Sequence, residues 1–310
     1  MKAAVINEYG SVDQLKIIDI ALPKIKADEV LIAVKATAVN PVDWKLRRGD
    51  LKVQFPWAFP IILGWDVSGV VLETGRSVTN VKVGDAVFAR PDMSRLGTYA
   101  QQTIVKANKV TQKPKNLTFN EAAAVPLTAI TAWQVIHDQL NIKSGQQVLI
   151  QAGAGGIGMF AIQFANELGA KVVTTASRHN FKFVKDLGAT TVIDYHEQSI
   201  TDLTTKFDAV FDTIGAISEG MQTLKPNGRL VSIEKDPGKQ KWPHGKTASY
   251  WWTDPNNKDL KTIAKMLEQD KIVVPIDRLF PFTEQGVRAA QRLSESHQAT
   301  GKIVISMTAQ

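Results

Sequence analysis

There is no cysteine among the 310 residues. That absence removes disulfides, thiolate nucleophiles, iron–sulfur clusters and every cysteine-ligated zinc centre at once. Long apolar runs are missing too: none reaches the roughly 18–20 residues a membrane-spanning helix needs. The opening segment turns polar at Asn7, short of the apolar core of a signal peptide. Secreted and integral membrane classes are therefore not expected, and a cysteine-free chain suits a reducing cytoplasm without demanding one. Basic residues outnumber acidic ones 37 to 30, a net charge of +7, yet no block of five or six like charges occurs. The surplus reads as a solvated surface rather than a nucleic-acid patch. The five histidines, His137, His179, His196, His244 and His297, include no pair at helical metal-ligand spacing, so no metal site is expected. What is present is ordinary: hydrophobic residues make up 44% and charged residues 22%, the balance of a globular chain.

The first ~117 residues read as short strands, Lys2–Ile6, Leu15–Ile20, Val30–Ala38, Ser68–Thr74, Ala86–Ala89 and Tyr99–Val105, punctuated by turn residues. Many short strands without a long helical period indicate a partly open β-barrel or sandwich. Beyond Asn116 the pattern becomes an alternation of strand-like and helix-like segments, as in a doubly wound parallel sheet. Two of those helices end on Gly169 and Gly188, as helix C-termini commonly do. An amphipathic helix from about Glu284 to Ser296 precedes a last strand near Lys302–Ile305, which periodicity alone assigns to neither sheet.

The strongest local signal lies between Gln146 and Asn180. Gly153-Ala154-Gly155-Gly156-Ile157-Gly158 follows an apolar strand and opens a helix that a second strand follows. In that context glycine at the first place permits a tight turn. At the third it lets backbone N–H groups approach a pyrophosphate, and at the last it allows close helix–strand packing. The end of the second strand selects the cofactor. An NAD site places a carboxylate about 20 residues along; here Ser177, 24 residues after Gly153, is followed by Arg178, His179 and Asn180, and no carboxylate comes before Asp186. A hydroxyl and a guanidinium suit the 2′-phosphate of NADPH, unless Arg178 is only a surface charge.

The chain resembles the quinone oxidoreductase-like, zinc-independent branch of the medium-chain dehydrogenase/reductase superfamily. The likeness covers almost all of it: Ala38 through Lys45, Leu63 through Val70, Val83 through Phe88, Pro126 through Trp133, the glycine loop, Val192 through Tyr195, Phe211 through Gly215 and Gly301 through Val304. It implies an α/β fold, a Rossmann doubly wound parallel sheet inserted into a GroES-like β-barrel domain. The corresponding domains are 1–118, a Rossmann NADP-binding domain 119–274, and a return to the GroES-like domain over 275–310. Zinc-dependent relatives have a cysteine near Asn40 and a histidine where this chain has Trp65, and their structural zinc lobe is missing here.

The resemblance assigns Asn40 and Thr131 to the nicotinamide, and Gly155, Gly156 and Ile157 to the pyrophosphate. Ser177, Arg178 and Tyr195 would surround the 2′-phosphate. Many relatives have lysine where Asn180 stands. Ile214, Gly215, Ser232 and Ile233 would line the nicotinamide side, and Lys302 would close the site. Asn40, Asp43 and Lys45 are read as one short loop carrying the catalytic groups. Lys45 is the candidate donor to a developing oxyanion or else an exposed lysine, and Asp43 is catalytic or else caps the turn after Pro41. Hydride transfer is cofactor chemistry to which the protein contributes orientation and electrostatics. Without a Lewis acid the acceptor is expected to be a quinone or an α,β-unsaturated carbonyl. Trp44, Trp57, Trp65, Trp251 and Trp252 would stack a planar acceptor or serve as core and interface. The implied assembly is a homo-oligomer, dimer or tetramer. Two alternatives remain: a reductase of larger enoyl or 2-substituted acrylate substrates, and a non-catalytic NADPH-binding sensor or RNA-binding protein.

Overall fold

The computed structural model describes residues Met1–Met307. The chain forms two compact units, one built from 1–127 and 255–307, the other from 128–254.

In the first unit the strands β1 (Lys2–Ile6), β2 (Lys16–Asp19) and β4 (Ile61–Ile62) make a small antiparallel sheet in the order β2-β1-β4. A seven-stranded sheet contains β3 (Glu29–Val39), β5 (Val67–Thr74), β6 (Ala86–Ala89), β7 (Gln102–Lys106), β8 (Val110–Gln112), β15 (Ile276–Pro281) and β16 (Lys302–Ser306). The long β3 alternates buried and half-buried residues from Val30 to Val34, the period-2 pattern of a sheet with one covered face. β3 pairs with β5, with β7 and with β16, all antiparallel, and Val304 sits opposite Ala38. The final strand thus completes the first unit's sheet, as the resemblance implied. A core of Val30, Ile32, Val34, Val67, Val71, Val87 and Val105 fills one side, and α8 (Glu284–Glu295) lays Val287 and Ala290 into a second core with Trp65 and Tyr99.

The segment Pro41–Arg48 is an α-helix, α1, not the short loop expected from the sequence. Its physical signals are present. Pro41 at the first helical position presets φ, and Asp43 at the third accepts a hydrogen bond from the Asn40 N–H. Arg47 and Arg48 occupy the last turn, and Gly49 closes it at φ +91°, where a side chain would be strained.

The second unit is a six-stranded parallel sheet in the order β11-β10-β9-β12-β13-β14. Its strands are β9 (Gln147–Ile150), β10 (Lys171–Ala176), β11 (Thr191–Asp194), β12 (Phe207–Asp212), β13 (Leu224–Ser232) and β14 (Thr247–Tyr250). Helices α4 (Gly158–Glu167), α5 (Phe181–Asp186) and α6 (Ile217–Thr223) serve as crossovers. Residues Gly158 to Ala165 of α4 are buried without interruption, Gln163 included, so this stretch is covered on every face and packs inside the unit. The strand order reverses at β9 and β12, the place where doubly wound sheets bind ligands.

Candidate functional site

The residues that the sequence singled out in the second unit lie at one edge of its sheet. The glycine loop follows β9, and Ser177 to Asn180 follow β10. Tyr195 follows β11, Ile214 and Gly215 follow β12, and Ser232 ends β13 with Ile233 next. These are the carboxyl ends of parallel strands, where such sheets recognise nucleotides.

Three of the loop's four glycines have different reasons to be glycine. A Cβ on Gly153 would stand 2.1 Å from Thr174 Oγ1, and one on Gly158 would stand 2.3 Å from the Ala152 carbonyl oxygen. Both are excluded by the unit's own packing. A Cβ on Gly155 meets only that same carbonyl, at 3.3 Å, so the missing side chain leaves a cradle rather than relieving a clash. The left-handed residue of the turn is Ala152, at φ +50°, so the tight turn does not depend on Gly153 as the sequence suggested. The loop is tied down by Ala152 N–H to Thr175 Oγ1 and Gly153 N–H to the Thr175 carbonyl, at 2.9 and 3.0 Å.

Around this loop, Arg178 and Tyr195 are exposed while Ser177 and Asn180 are half-buried. Asn180 Nδ2 donates to Ser177 Oγ at 3.3 Å. The buried Asp212 accepts the N–H groups of Ile214, Gly215 and Ala216 on Oδ1, at 3.0, 2.9 and 3.1 Å, and so shapes the turn after β12. Ser232 Oγ accepts from the N–H groups of Glu234 and Lys235. Thr131 is buried on α3 (Pro126–Trp133) with its hydroxyl against that of Thr253. Helix α3 continues into a π-helical stretch, Gln134–Gln139, a feature frequent at functional sites. There the buried Gln134 receives Trp251 Nε1 and the Asp254 N–H, both at 3.1 Å, and donates to the Asp254 carbonyl at 2.7 Å.

The first unit brings Asn40, Asp43 and Lys302 together in a buried polar cluster. Asn40 is the N-cap of α1, and Asp43 N–H bonds its backbone carbonyl. The Asn40 side chain is directed elsewhere. Its Nδ2 donates to Asp66 Oδ2 at 2.7 Å, and its Oδ1 accepts from Lys302 Nζ at 2.5 Å. Lys302 also donates to the Val39 carbonyl at 3.2 Å and lies 3.7 Å from Asp66 Oδ2. Asp66 Oδ1 takes the Leu127 N–H at 2.7 Å. Asp43 Oδ2 accepts the Asn40 N–H at 2.8 Å and the Tyr99 hydroxyl at 2.9 Å, while Oδ1 is buried with no hydrogen-bond partner among the described residues. Burial pushes the Asp43 carboxyl up to about 7, with Asp66 adding to the rise and the two hydrogen bonds and Lys302 opposing it. Burial also lowers the Lys302 ammonium, against the pull of Asp66 and Asp43. Lys45 is half-buried on α1 with its ammonium 5.7 Å from the Trp44 ring centroid.

The sequence reading passed over three members of this cluster: Asp66 as a partner, Tyr99 and Arg90. A signal existed for the two charged ones. Asp66 is the single charge between Leu63 and Leu72, and Arg90 directly follows the apolar Val87-Phe88-Ala89. Of the tryptophans, Trp65 is fully buried with Nε1 on the Ser94 carbonyl, and Trp57 lies 5.9 Å from it, centroid to centroid.

A doubly wound nucleotide-type sheet in one unit and a β unit with a buried charged cluster in the other define an α/β dehydrogenase architecture. Residues 26–115 match the alcohol dehydrogenase GroES-like domain, and residues 187–305 match the zinc-binding dehydrogenase family. The chain is 36% identical to the 2-methylene-furan-3-one reductase of Solanum lycopersicum, covering 98% of this chain and 79% of that one. It is equally identical, with the same coverage, to the chloroplastic NADPH-dependent alkenal/one oxidoreductase of Arabidopsis thaliana. The solved quinone oxidoreductase of Coxiella burnetii superposes with a TM-score of 0.91 at 33% identity, covering 99% of each chain. The chain belongs to the medium-chain dehydrogenase/reductase superfamily, among its quinone and alkenal oxidoreductases, and is an oxidoreductase.

Proposed function

We propose that the protein is an NADPH-dependent reductase that delivers hydride to a quinone or to the conjugated double bond of an α,β-unsaturated carbonyl, without zinc. The observation that carries this reading is the cofactor end of the second unit. A Cβ on Gly155 would meet only the Ala152 carbonyl, at 3.3 Å, a tight contact but not the exclusion found at Gly153 and Gly158, and the strand after it delivers Ser177 and Arg178 with no carboxylate.

The residues present fit NADPH. Gly155, Gly156 and Ile157 at the head of α4 would take the pyrophosphate on backbone N–H groups. Ser177 and Arg178, with Asn180 and Tyr195 beside them, would hold the 2′-phosphate. Ile214, Gly215, Ser232 and Ile233 would line the nicotinamide, with Asn40 and Thr131 as its polar contacts. When bound, NADPH supplies the hydride. The protein orients the acceptor and offers donors to its oxygen as charge gathers there, a role we give to Lys45 and the Asn40 carboxamide. Lys302 and Asp66 fix that carboxamide.

The donor set does not fit catalytic zinc, whose ligands are Cys, His, Asp and Glu. Asn40 and Trp65 stand at the two positions compared above, and Asp66 is already engaged by Asn40, Leu127 and Lys302. The names of the tomato and Arabidopsis relatives support an unsaturated-carbonyl acceptor, and that of the Coxiella structure supports a quinone. No helix among the described residues is long and apolar enough to cross a membrane. We place the protein in the cytoplasm as a homo-oligomer, to be checked by fractionation and light scattering.

The test is NADPH oxidation, with NADH in parallel, against a quinone, a short 2-alkenal, an enone and a saturated aldehyde, each with and without chelator. Chelator-insensitive, NADPH-preferring turnover of a conjugated acceptor is the expected result. Tight NADPH binding with no turnover of any acceptor refutes the reading and favours the sensor alternative.

A further inference from the structure

We propose that Asp43 is a positioning residue: its carboxylate form holds the buried cluster in the state that fixes the Asn40 carboxamide, and its protonated form releases that hold. The inference rests on the reading of Asn40 given above. Asp43 Oδ2 is occupied by the Asn40 N–H and the Tyr99 hydroxyl, so we give it a role through these neighbours rather than at the acceptor or the cofactor.

The charges around it argue for this role. Facing Asp43 are Tyr99 from the segment before β7, Asp66 from the segment before β5, Arg90 after β6 and Lys302 on β16. On its own helix stands Arg47, buried and bonded to Gln291, Glu295 and the Gly10 carbonyl. Arg47 and Glu295 offset each other. Asp92 also faces Arg90 but is engaged by Lys106 and Lys109. That leaves Asp43 and Asp66 against Lys302 and Arg90, a cluster that is neutral only while Asp43 is ionised. Arg90 has no salt-bridge partner among the described residues, and its Nε has no acceptor there. Protonating Asp43 leaves two buried cations facing the single carboxylate of Asp66. Lys302 and Arg90 then both draw on Asp66, whose Oδ2 is the same atom that accepts the Asn40 carboxamide, and the hold on that carboxamide loosens. The same protonation weakens the acceptor that pins the Asn40 backbone N–H.

A second observation points the same way. An N-cap asparagine ordinarily spends its side chain on the first turn of its helix. Here the side chain faces Asp66 and Lys302 instead, while Asp43 returns the reciprocal bond by accepting the Asn40 N–H. Asp43 thereby fixes the backbone from which the carboxamide projects.

The test uses the full chain as wild type, Asp43→Asn and Tyr99→Phe. Two readouts are followed from about pH 5.5 to 8.5: kcat/KM with NADPH and an alkenal, and the 15N-labelled side-chain amide resonance of Asn40, which is independent of turnover. In the wild type both change with a midpoint near 7, kcat/KM falling about tenfold per pH unit on the acid side. Asp43→Asn abolishes both midpoints. Tyr99→Phe removes a bond that holds the Asp43 carboxyl down and moves both midpoints to higher pH, which a loss of packing alone does not do. Midpoints that survive Asp43→Asn overturn the proposal. If Asp43→Asn does not fold, an unmoved midpoint in Tyr99→Phe overturns it. If no acceptor is turned over, the reductase reading has failed. The amide resonance then decides alone: a wild-type midpoint absent from Asp43→Asn supports the lock, and any other outcome refutes it.

Discussion

Holding a carboxylate where Asp43 sits costs the folded protein stability, and the size of that cost can be worked out. Its carboxyl is raised from 3.8 to about 7 in the folded chain, a shift of about 3 pH units at 1.36 kcal/mol each, or ~4 kcal/mol. The sign is the reverse of an ordinary salt-bridged aspartate. Between about pH 4 and 7 the folded form binds the proton more tightly than the unfolded form. The contribution of Asp43 is therefore most favourable below pH 4, declines as pH rises through this window, and is flat above 7. Asp43→Asn has a similar shape and no titration. Denaturant unfolding of the two proteins, followed by tryptophan fluorescence at several pH values, gives their stability difference directly. The difference should grow in favour of Asp43→Asn by ~4 kcal/mol between about pH 4 and 8. The depressed carboxyls of Asp92, Asp208 and Glu284 push stability the other way with pH, but they do so in both proteins and cancel. Any constant offset from the new amide cancels as well, because the slope carries the argument. A difference that stays level with pH, or shrinks, refutes the reasoning.

Four further outcomes follow from the second unit. Gly158→Ala should cost roughly 1–3 kcal/mol by overpacking against the Ala152 carbonyl, seen as a lower melting temperature. Gly155→Val should leave stability nearly unchanged but raise the Kd for NADPH more than tenfold, measured by NADPH fluorescence. Ser177→Asp should repel a 2′-phosphate and shift the NADPH/NADH ratio of kcat/KM by about ten- to a hundredfold toward NADH. Gln134→Ala leaves the Trp251 indole and the Asp254 N–H without their acceptor and should cost about 2–4 kcal/mol in urea unfolding.

Local features were legible in the sequence where local physics decides them. β1 and β6 have the bounds their apolar runs suggested, and the glycine loop sits between β9 and α4 as its spacing required. Helix α1 was hidden because Asn40-Pro41 reads as a turn; the capping signals at Asp43 and Gly49 become persuasive only together. β14 and β15 show no buried alternation, being half exposed along their length, so periodicity had nothing to detect. The cluster around Asn40 was illegible for another reason. Its bonds join residues 26, 56 and 262 positions apart, and no window on the sequence spans such a distance. A charge in an apolar stretch, as at Asp66 and Arg90, announces that a partner must exist without saying which.

The place of β16 has a consequence for how the molecule comes into being. The second unit, 128–254, is complete in the nascent chain before β15, α8 or β16 has been made, so it can fold while synthesis continues. The sheet around β3 cannot finish until β16 arrives, and with it Lys302. A chain ending at residue 254 would therefore carry the glycine loop and the Asp66 bond to Asn40, but not the ammonium on Asn40 Oδ1. On the reading proposed above, the seat of the pyrophosphate is built before the cluster around Asn40, and the last strand completes that cluster.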